Sequence, residues 1–461
     1  MKKGYKMKLK DVIQTQRDYF FSGETKDISF RKEKLQKLLD IIEKNEDRIY
    51  YALFQDLGKS EYESYITEIY LVKHEIKRAL KEINKWTSPK KKRTSFITFP
   101  NKSYTIYEPY GVVLILSPWN YPFLLSIMPL VGAIAAGNCV ILKVSGNSKY
   151  TSSIIREIIG TAMESHYGYV IEEKISYDSI LNEKYDYIFF TGSPRVGRIV
   201  MRSASEHLTP LTLELGGKSP CIVDNTADCR DAARKIIWAK TINAGQTCIA
   251  PDYILVHEDK KEELIEHLKL ELDKNFSSCE KSDDYPRIIN IHHFIRLSNM
   301  IEKEKNVIGG RREESQLKIS PALLPDASFQ SESMKEEIFG PILPIISYYQ
   351  LDALLEELKQ KQKPLACYIF SKDQKAIHKI HTEISFGGGC INDCILHIAN
   401  DHLPFGGVGN SGMGSYHGYY SFQTFSHEKA ILVNRRIFNL SHRFPPYTKE
   451  KLKQLKKILG K

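Results

Sequence analysis

Between Glu108 and Lys143 the chain carries no charged residue over 34 positions, and most of that run is apolar. Such a stretch must be buried, in lipid or in protein, and the two environments demand different patterns. A membrane span needs about 20 uninterrupted apolar residues. Here the run is cut by Pro118, Trp119, Asn120, Pro122 and Pro129. It reads instead as a buried strand over 112–116, a proline-rich turn, a buried helix over 124–136 and a second strand over 140–142.

The flanking chain continues this pattern. From Gly111 to Gly217 short apolar runs (112–116, 140–142, 188–190, 211–213) alternate with helical stretches. A second alternating block spans 219–395, with strands predicted at 254–256, 342–346 and 367–370 and helices at 260–272 and 351–360. Alternation of this kind predicts βαβ units and parallel sheets. Ahead of them, 30–45 and 64–86 have apolar residues at helical spacing. A basic, proline-bounded segment at 89–93 leads into Tyr104-Thr105-Ile106-Tyr107, whose period of two predicts an exposed strand or arm. The fold class expected is therefore α/β: two α/β domains and a bridging β-arm. The length of 461 residues and 42% hydrophobic content are ordinary for a globular chain. They exclude extended disorder and disulfide-scaffold readings.

The net charge of +10 is concentrated. From Arg435 to Lys461 nine lysines and arginines face one acid, Glu450, so the last 27 residues carry +8 and the rest of the chain +2. This speaks against a nucleic-acid binder, as does the lack of a recognisable module near Lys90 or in the tail. In the tail, Leu452, Leu455 and Leu459 share one helical face with lysines around the rest. A basic amphipathic helix of this kind can touch an anionic membrane; the plainer reading packs its leucines on protein.

Eight cysteines are present, none in a C-x-x-C pair, and no histidine lies at zinc-finger spacing, so no metal site is read. The lysine-rich first ten residues lack the apolar stretch of a signal peptide. The expectation is a cytoplasmic chain with reduced thiols, most of them buried and inert.

Five short motifs carry chemistry. Gly245-Gln246-Thr247-Cys248 places a thiol after a glycine turn. Leu213-Glu214-Leu215-Gly216-Gly217-Lys218 supplies a carboxylate between leucines, where desolvation raises its pKa toward a useful general base. Pro118-Trp119-Asn120-Tyr121-Pro122 holds an amide in a rigid turn, as an oxyanion donor requires, although an Asn capping the next helix would look the same. Phe190-Thr191-Gly192-Ser193, with Gly197 beyond, lies at a strand-to-helix junction suited to a pyrophosphate. Glu336-Glu337-Ile338-Phe339-Gly340-Pro341 offers an acid for ribose hydroxyls and a ring. Each alone is ordinary.

Together and in this order, the motifs resemble the aldehyde dehydrogenase superfamily, over a span reaching about His427. The 34-residue step from Glu214 to Cys248 also fits. Asn392-Asp393 and the run from Pro404 to Gly418 look like the class 3 or fatty aldehyde branch. The resemblance implies two Rossmann-like domains: an NAD(P)-binding domain over 1–88 and 109–217, and a catalytic domain over 218–395. It also implies bridging or oligomerisation elements at 89–108 and 396–427, leaving 428–461 as the basic tail. It implies a homodimer whose arm pairs across subunits, and NAD or NADP as cofactor. By similarity Cys248 is the nucleophile, Asn120 and the Cys248 N–H hold the oxyanion, and Glu214 activates water. Lys143 and Glu337 would hold the two riboses, Phe339 the nicotinamide ring, and Thr191, Gly192, Ser193 and Gly197 the pyrophosphate region. Tyr121 and His417 would line or support the substrate end. The aldehyde implied is medium- to long-chain aliphatic or aromatic.

Two departures stand out. Gly146 sits where the family commonly has an acid, three positions after the lysine, so a 2′-phosphate meets no repulsion and NADP joins NAD. The segment 170–174 reads V-I-E-E-K where relatives often turn on Asn-Gly-Gly. Two other readings stay open: a coenzyme A-acylating enzyme of the same fold, and a catalytically silent binding relative.

Overall fold

The computed structural model describes residues 8–435 and 443–460. By contacts the chain forms two compact units. One comprises 1–86 and 109–427, the other 87–108 and 428–461.

The larger unit holds two mainly parallel sheets. The first has six strands in the spatial order Gly412–Met413, Leu211–Glu214, Tyr187–Thr191, Val112–Leu116, Cys139–Lys143, Gly168–Val170. Only Gly412–Met413 is antiparallel, with Gly412 opposite Glu214. Val112–Leu116 is buried at every position, as an inner parallel strand must be. The helix Leu124–Ala136 is likewise buried all round, which explains the charge-free run. Chain order and spatial order part company at Val112–Leu116 and Tyr187–Thr191. Consecutive strands run outward from this pair in opposite directions. A doubly wound sheet opens a crevice beyond the carboxyl ends of its strands at such a point. Asn120 and Thr191 therefore face one crevice because the strands that deliver them are neighbours.

The second sheet has seven strands in the order Ile308–Gly309, Ala322–Leu324, Ile342–Tyr348, Tyr253–His257, Pro220–Val223, Ala366–Phe370, Gly388–Ile391. All pair in parallel except the first. Leu354, Leu355 and Leu358 of helix Leu351–Lys359, with Ile377 and Ile380 of Gln374–Glu383, pack on Ile222, Leu255 and Ile369 from this sheet.

The smaller unit is a three-stranded sheet, Lys90–Lys92, Lys102–Pro109 and Ser426–Val433, followed by the helix Lys449–Leu459. The arm strand is half-buried along almost its whole length rather than alternating, because strands flank it on both edges. The expected boundary at 428 falls inside Ser426–Val433. No residue of the tail helix is buried, and Leu452, Ile458 and Leu459 are exposed. Among the described residues no helix is long and apolar enough to cross a membrane.

The helix expected over 64–86 is interrupted. Tyr65–Ile69 is a π turn between Glu61–Ser64 and Tyr70–Thr87.

Candidate active site

A cleft of about 1340 Å³ lies in the larger unit. Its walls include Asn120, Thr191, Glu214, Cys248, Glu337 and Phe339. The structure thus brings together the principal groups singled out in the sequence.

Cys248 follows an unusual turn. Asn243, Ala244 and Gly245 have φ of 52°, 51° and 73°, three left-handed residues in a row. At Gly245 a side chain would also strike the carbonyl oxygen of Gly340, so only glycine fits. Gln246 locks the turn: its side chain donates to the carbonyls of Asn243 and Arg287, both at 3.0 Å, and accepts from Ile289 N–H at 3.0 Å. Burial, together with the carboxylates of Glu337 and Glu214, pushes the Cys248 thiol up to about 12. All eight cysteines are free thiols; only Cys248 and Cys390 are partly exposed.

The Asn120 side chain is 3% exposed and donates through Nδ2 to the Gln246 carbonyl at 3.0 Å. Each amide nitrogen carries two hydrogens, so one N–H remains to donate. Asn120 does not cap the helix that follows, which begins at Leu124 with Phe123 at its N-cap and no side-chain cap bond. Tyr121 is buried, with its hydroxyl 2.6 Å from Thr247 Oγ1, and supports the turn without lining the cleft.

Glu214 ends its strand with both carboxylate oxygens buried and without a partner among the described residues. Burial alone holds it well above the usual carboxylate range. Thr191 lies opposite Glu214 across the ladder, and Gly192 N–H donates to the Glu214 carbonyl at 3.0 Å. Thr191 Oγ1 is also buried without a partner. Ser193 caps the helix Pro194–Glu206, accepting from Val196 N–H at 3.4 Å. Gly197 lies inside that helix, where a Cβ would come within 2.8 Å of Leu215 Cδ2, so it serves the packing of helix on strand.

Glu337 lies against Gly216, where any Cβ would collide with its carboxylate. Burial raises it to about 8. Its loop is tied down by Asp252, which accepts from Ile338 N–H at 3.0 Å and pairs with Lys218 at 2.5 Å. Phe339, at φ 51°, stands edge-on to Trp119 with centroids 5.5 Å apart.

Lys143 and His417, like Tyr121 and Gly197, lie off the cleft. Lys143 is buried and donates to its neighbour's carbonyl, Val144 O, at 2.9 Å. His417 is buried in a ring stack, 5.2 Å from Phe405 and 4.4 Å from Tyr416. Its burial lowers it to about 3. Gly146 does line the cleft, and a Cβ there would meet nothing within 4 Å.

Sequence reasoning missed Trp119 as a ring partner and Asp252 as the tether of the Glu337 loop. It also missed Lys59, Glu63 and Glu68, which bind the two active loops from behind. An acid amid apolar residues was the available signal, but its partner lies far along the chain.

Comparison with known proteins bears on this arrangement. Residues 1–431 match the aldehyde dehydrogenase family. The chain is 47% identical over 442 residues to the 4,4'-diaponeurosporen-aldehyde dehydrogenase of Staphylococcus aureus, covering 95% of this chain and 96% of that protein. It is 43% identical over 443 residues to a dimeric NADP-preferring aldehyde dehydrogenase of Rattus norvegicus, covering 95% and 98%. A solved substrate-bound Staphylococcus aureus AldH is 45% identical, with a TM-score of 0.94 over 98% of this chain and 99% of that one.

Proposed function

The chain belongs to the aldehyde dehydrogenase family, and from that premise we propose that it oxidises aldehydes to carboxylic acids through a covalent intermediate on Cys248. It is an NAD(P)-dependent oxidoreductase. The observation that carries the proposal is the convergence of Cys248, Asn120 and Glu214 on one cleft, with Glu214 unpartnered.

The residues present fit the cofactor. The cleft has the volume, the helix Pro194–Glu206 opens at its wall, and Thr191 Oγ1 is a buried hydroxyl lacking a partner. Thr191, Gly192 and Ser193 would meet the pyrophosphate region, and Gly197 lets the helix sit close enough. Glu337 would accept from a ribose and Phe339 would bound the ring. A ribose hydroxyl would take Lys143 from Val144 O. NAD(P), when bound, accepts a hydride from the reacting carbon.

In the first step Cys248 gives its thiol proton to solvent, and the thiolate Sγ forms a bond to the aldehyde carbon as the carbonyl π bond breaks. The carbonyl oxygen gains the charge and is held by Asn120 Nδ2–H and the Cys248 N–H. Loss of hydride leaves a thioester on Cys248. Glu214 then takes a proton from water, the oxygen attacks the thioester, the C–S bond breaks, and the acid leaves. A buried carboxylate with a raised pKa is a stronger base than an exposed one, which suits that step. An intact Glu214 in the cleft favours hydrolysis over acyl transfer to coenzyme A, and the full set argues against a silent relative.

We read the substrate as a medium- to long-chain aliphatic or aromatic aldehyde, in keeping with a relative named for 4,4'-diaponeurosporen-aldehyde. A relative named as dimeric supports a homodimer in which the arm pairs across subunits; Tyr121 and His417 would act behind the substrate end. The reading keeps the chain in the cytoplasm, with its tail helix in contact with anionic lipid. Product analysis tests the chemistry. Free acid formed in step with NAD(P)H, without coenzyme A, is expected. A strict requirement for coenzyme A would overturn the hydrolytic reading, and full activity of Cys248→Ala would overturn the nucleophile.

A further inference from the structure

Behind the cleft, two charged side chains, Lys59 and Glu68, are buried and a third, Glu63, is half-buried, where little chemistry calls for them. Lys59 and Glu68 form an ion pair of 2.6 Å, and both side chains are 0% exposed. Removing two charges from water is costly and persists only where the remaining donor and acceptor sites are filled. Here they are filled by the Asn120 loop. Glu68 Oε2 accepts from the N–H groups of Phe123 at 2.9 Å and Leu124 at 3.0 Å, where the helix Leu124–Ala136 begins without a side-chain cap of its own. Lys59 Nζ donates to the Asn120 carbonyl at 3.4 Å and sits 4.0 Å from the centroid of the Tyr121 ring.

The cysteine loop is gripped from the same place. Glu63 Oε1 accepts from Asn243 N–H at 2.7 Å, at the first left-handed residue of the turn before Cys248. Left-handed backbone is unfavourable for residues with a Cβ and persists when its surroundings hold it. Glu63 and Glu68 are five residues apart, which on an α-helix puts them on different faces. The π turn Tyr65–Ile69 widens the helix so that both reach the same side. The two loops are then joined directly: Asn243 Nδ2 donates to the Asn120 carbonyl at 2.7 Å, and Asn120 Nδ2 to the Gln246 carbonyl at 3.0 Å. None of Lys59, Glu63 and Glu68 lines the cleft.

We propose that Glu68 and Lys59 are positioning residues for the oxidation, fixing the direction of the free Asn120 N–H relative to Cys248 Sγ. The proposal rests on the reading of Asn120 as oxyanion donor and Cys248 as nucleophile. The pair pins the Asn120 backbone oxygen and the N–H groups that follow, leaving the side chain one aligned setting. Misplacement of a reacting group by 1 Å can cost about 10² in rate.

The test is a cycle of Glu68→Gln, Asn120→Ala and the double variant in the full chain. Two rates are followed: the NAD(P)H burst at saturating aldehyde, and alkylation of Cys248 by iodoacetamide, which forms no oxyanion. Glu68→Gln is expected to slow the burst about 10- to 100-fold while leaving the KM for cofactor unchanged. Alkylation should change by no more than about twofold, and Glu68→Gln should add no more than about twofold on the Asn120→Ala background. An unaffected burst, a full multiplicative loss in the double variant, or alkylation falling in step with the burst overturns the positioning role. If Asn120→Ala alone leaves the burst unchanged, the oxyanion reading itself fails, a result separable from the first. Should Glu68→Gln not fold, Lys59→Arg keeps the charge, alters the reach to Asn120 and carries the same cycle with the same outcomes.

Discussion

Asn120 donates its side-chain amide to the main-chain carbonyl of Gln246 at 3.0 Å, across 126 residues of sequence. One bond thus ties the loop beyond an inner strand of the first sheet to the turn that presents Cys248 beside the second. The proposed oxyanion donor and the proposed nucleophile are tied together before any substrate arrives.

The thiol is expected to be slow in the free enzyme. Cys248 is pushed up to about 12 by burial and two carboxylates, so its thiolate fraction should rise about tenfold per pH unit from 7 to 10. Alkylation followed on the Cys248 peptide should climb without a plateau near 8.5. Above pH 8, where Glu337 is ionised, Glu337→Gln removes a negative neighbour and should speed alkylation at fixed pH. A plateau at 8.5, or slower alkylation in that variant, would contradict the assignment of causes.

Glu214→Gln should separate the two halves of the reaction. The amide cannot take a proton from water, so steady-state turnover should fall by about 10²–10⁴ while the NAD(P)H burst survives. Equal loss of burst and turnover would place Glu214 in acylation instead.

Cofactor choice should respond at one position. Open space at Gly146 leaves room beside the cleft wall and no carboxylate to repel a 2′-phosphate. The enzyme is expected to use both NAD and NADP. Gly146→Glu should lower kcat/KM for NADP about tenfold or more while changing that for NAD far less. A thousandfold preference for either cofactor in the unaltered chain would refute dual use.

The tail helix Lys449–Leu459 presents exposed Leu452, Ile458 and Leu459 with five lysines on a single element. Sedimentation with phosphatidylglycerol vesicles should carry the full chain down at low salt, and deletion of 447–461 should abolish this. Equal binding by the deleted chain, or none by the full chain, would rule the tail out as a lipid contact.

Much of this was legible in the sequence where burial is total. Val112–Leu116 and Leu124–Ala136 have the predicted bounds, because uncharged runs bracketed by glycine and proline leave few alternatives. The cleft residues Asn120, Thr191, Glu214, Cys248, Glu337 and Phe339 were legible as motifs, since turn chemistry is local. What escaped was relational. Helical periodicity over 64–86 does not reveal that Tyr65–Ile69 widens into a π turn, because the reason lies in loops 55 and 180 residues away that Glu68 and Glu63 must reach. Likewise nothing near Lys143 signals that its ammonium folds back on Val144, or near His417 that it stacks on Phe405.

The most direct measurement is the mass of the enzyme quenched during the burst. With aldehyde, NAD(P) and the Glu214→Gln variant, an acyl adduct is predicted on the Cys248 peptide, equal in amount to the NAD(P)H released. A burst with no adduct, or with the adduct on another cysteine such as Cys390, would contradict the account.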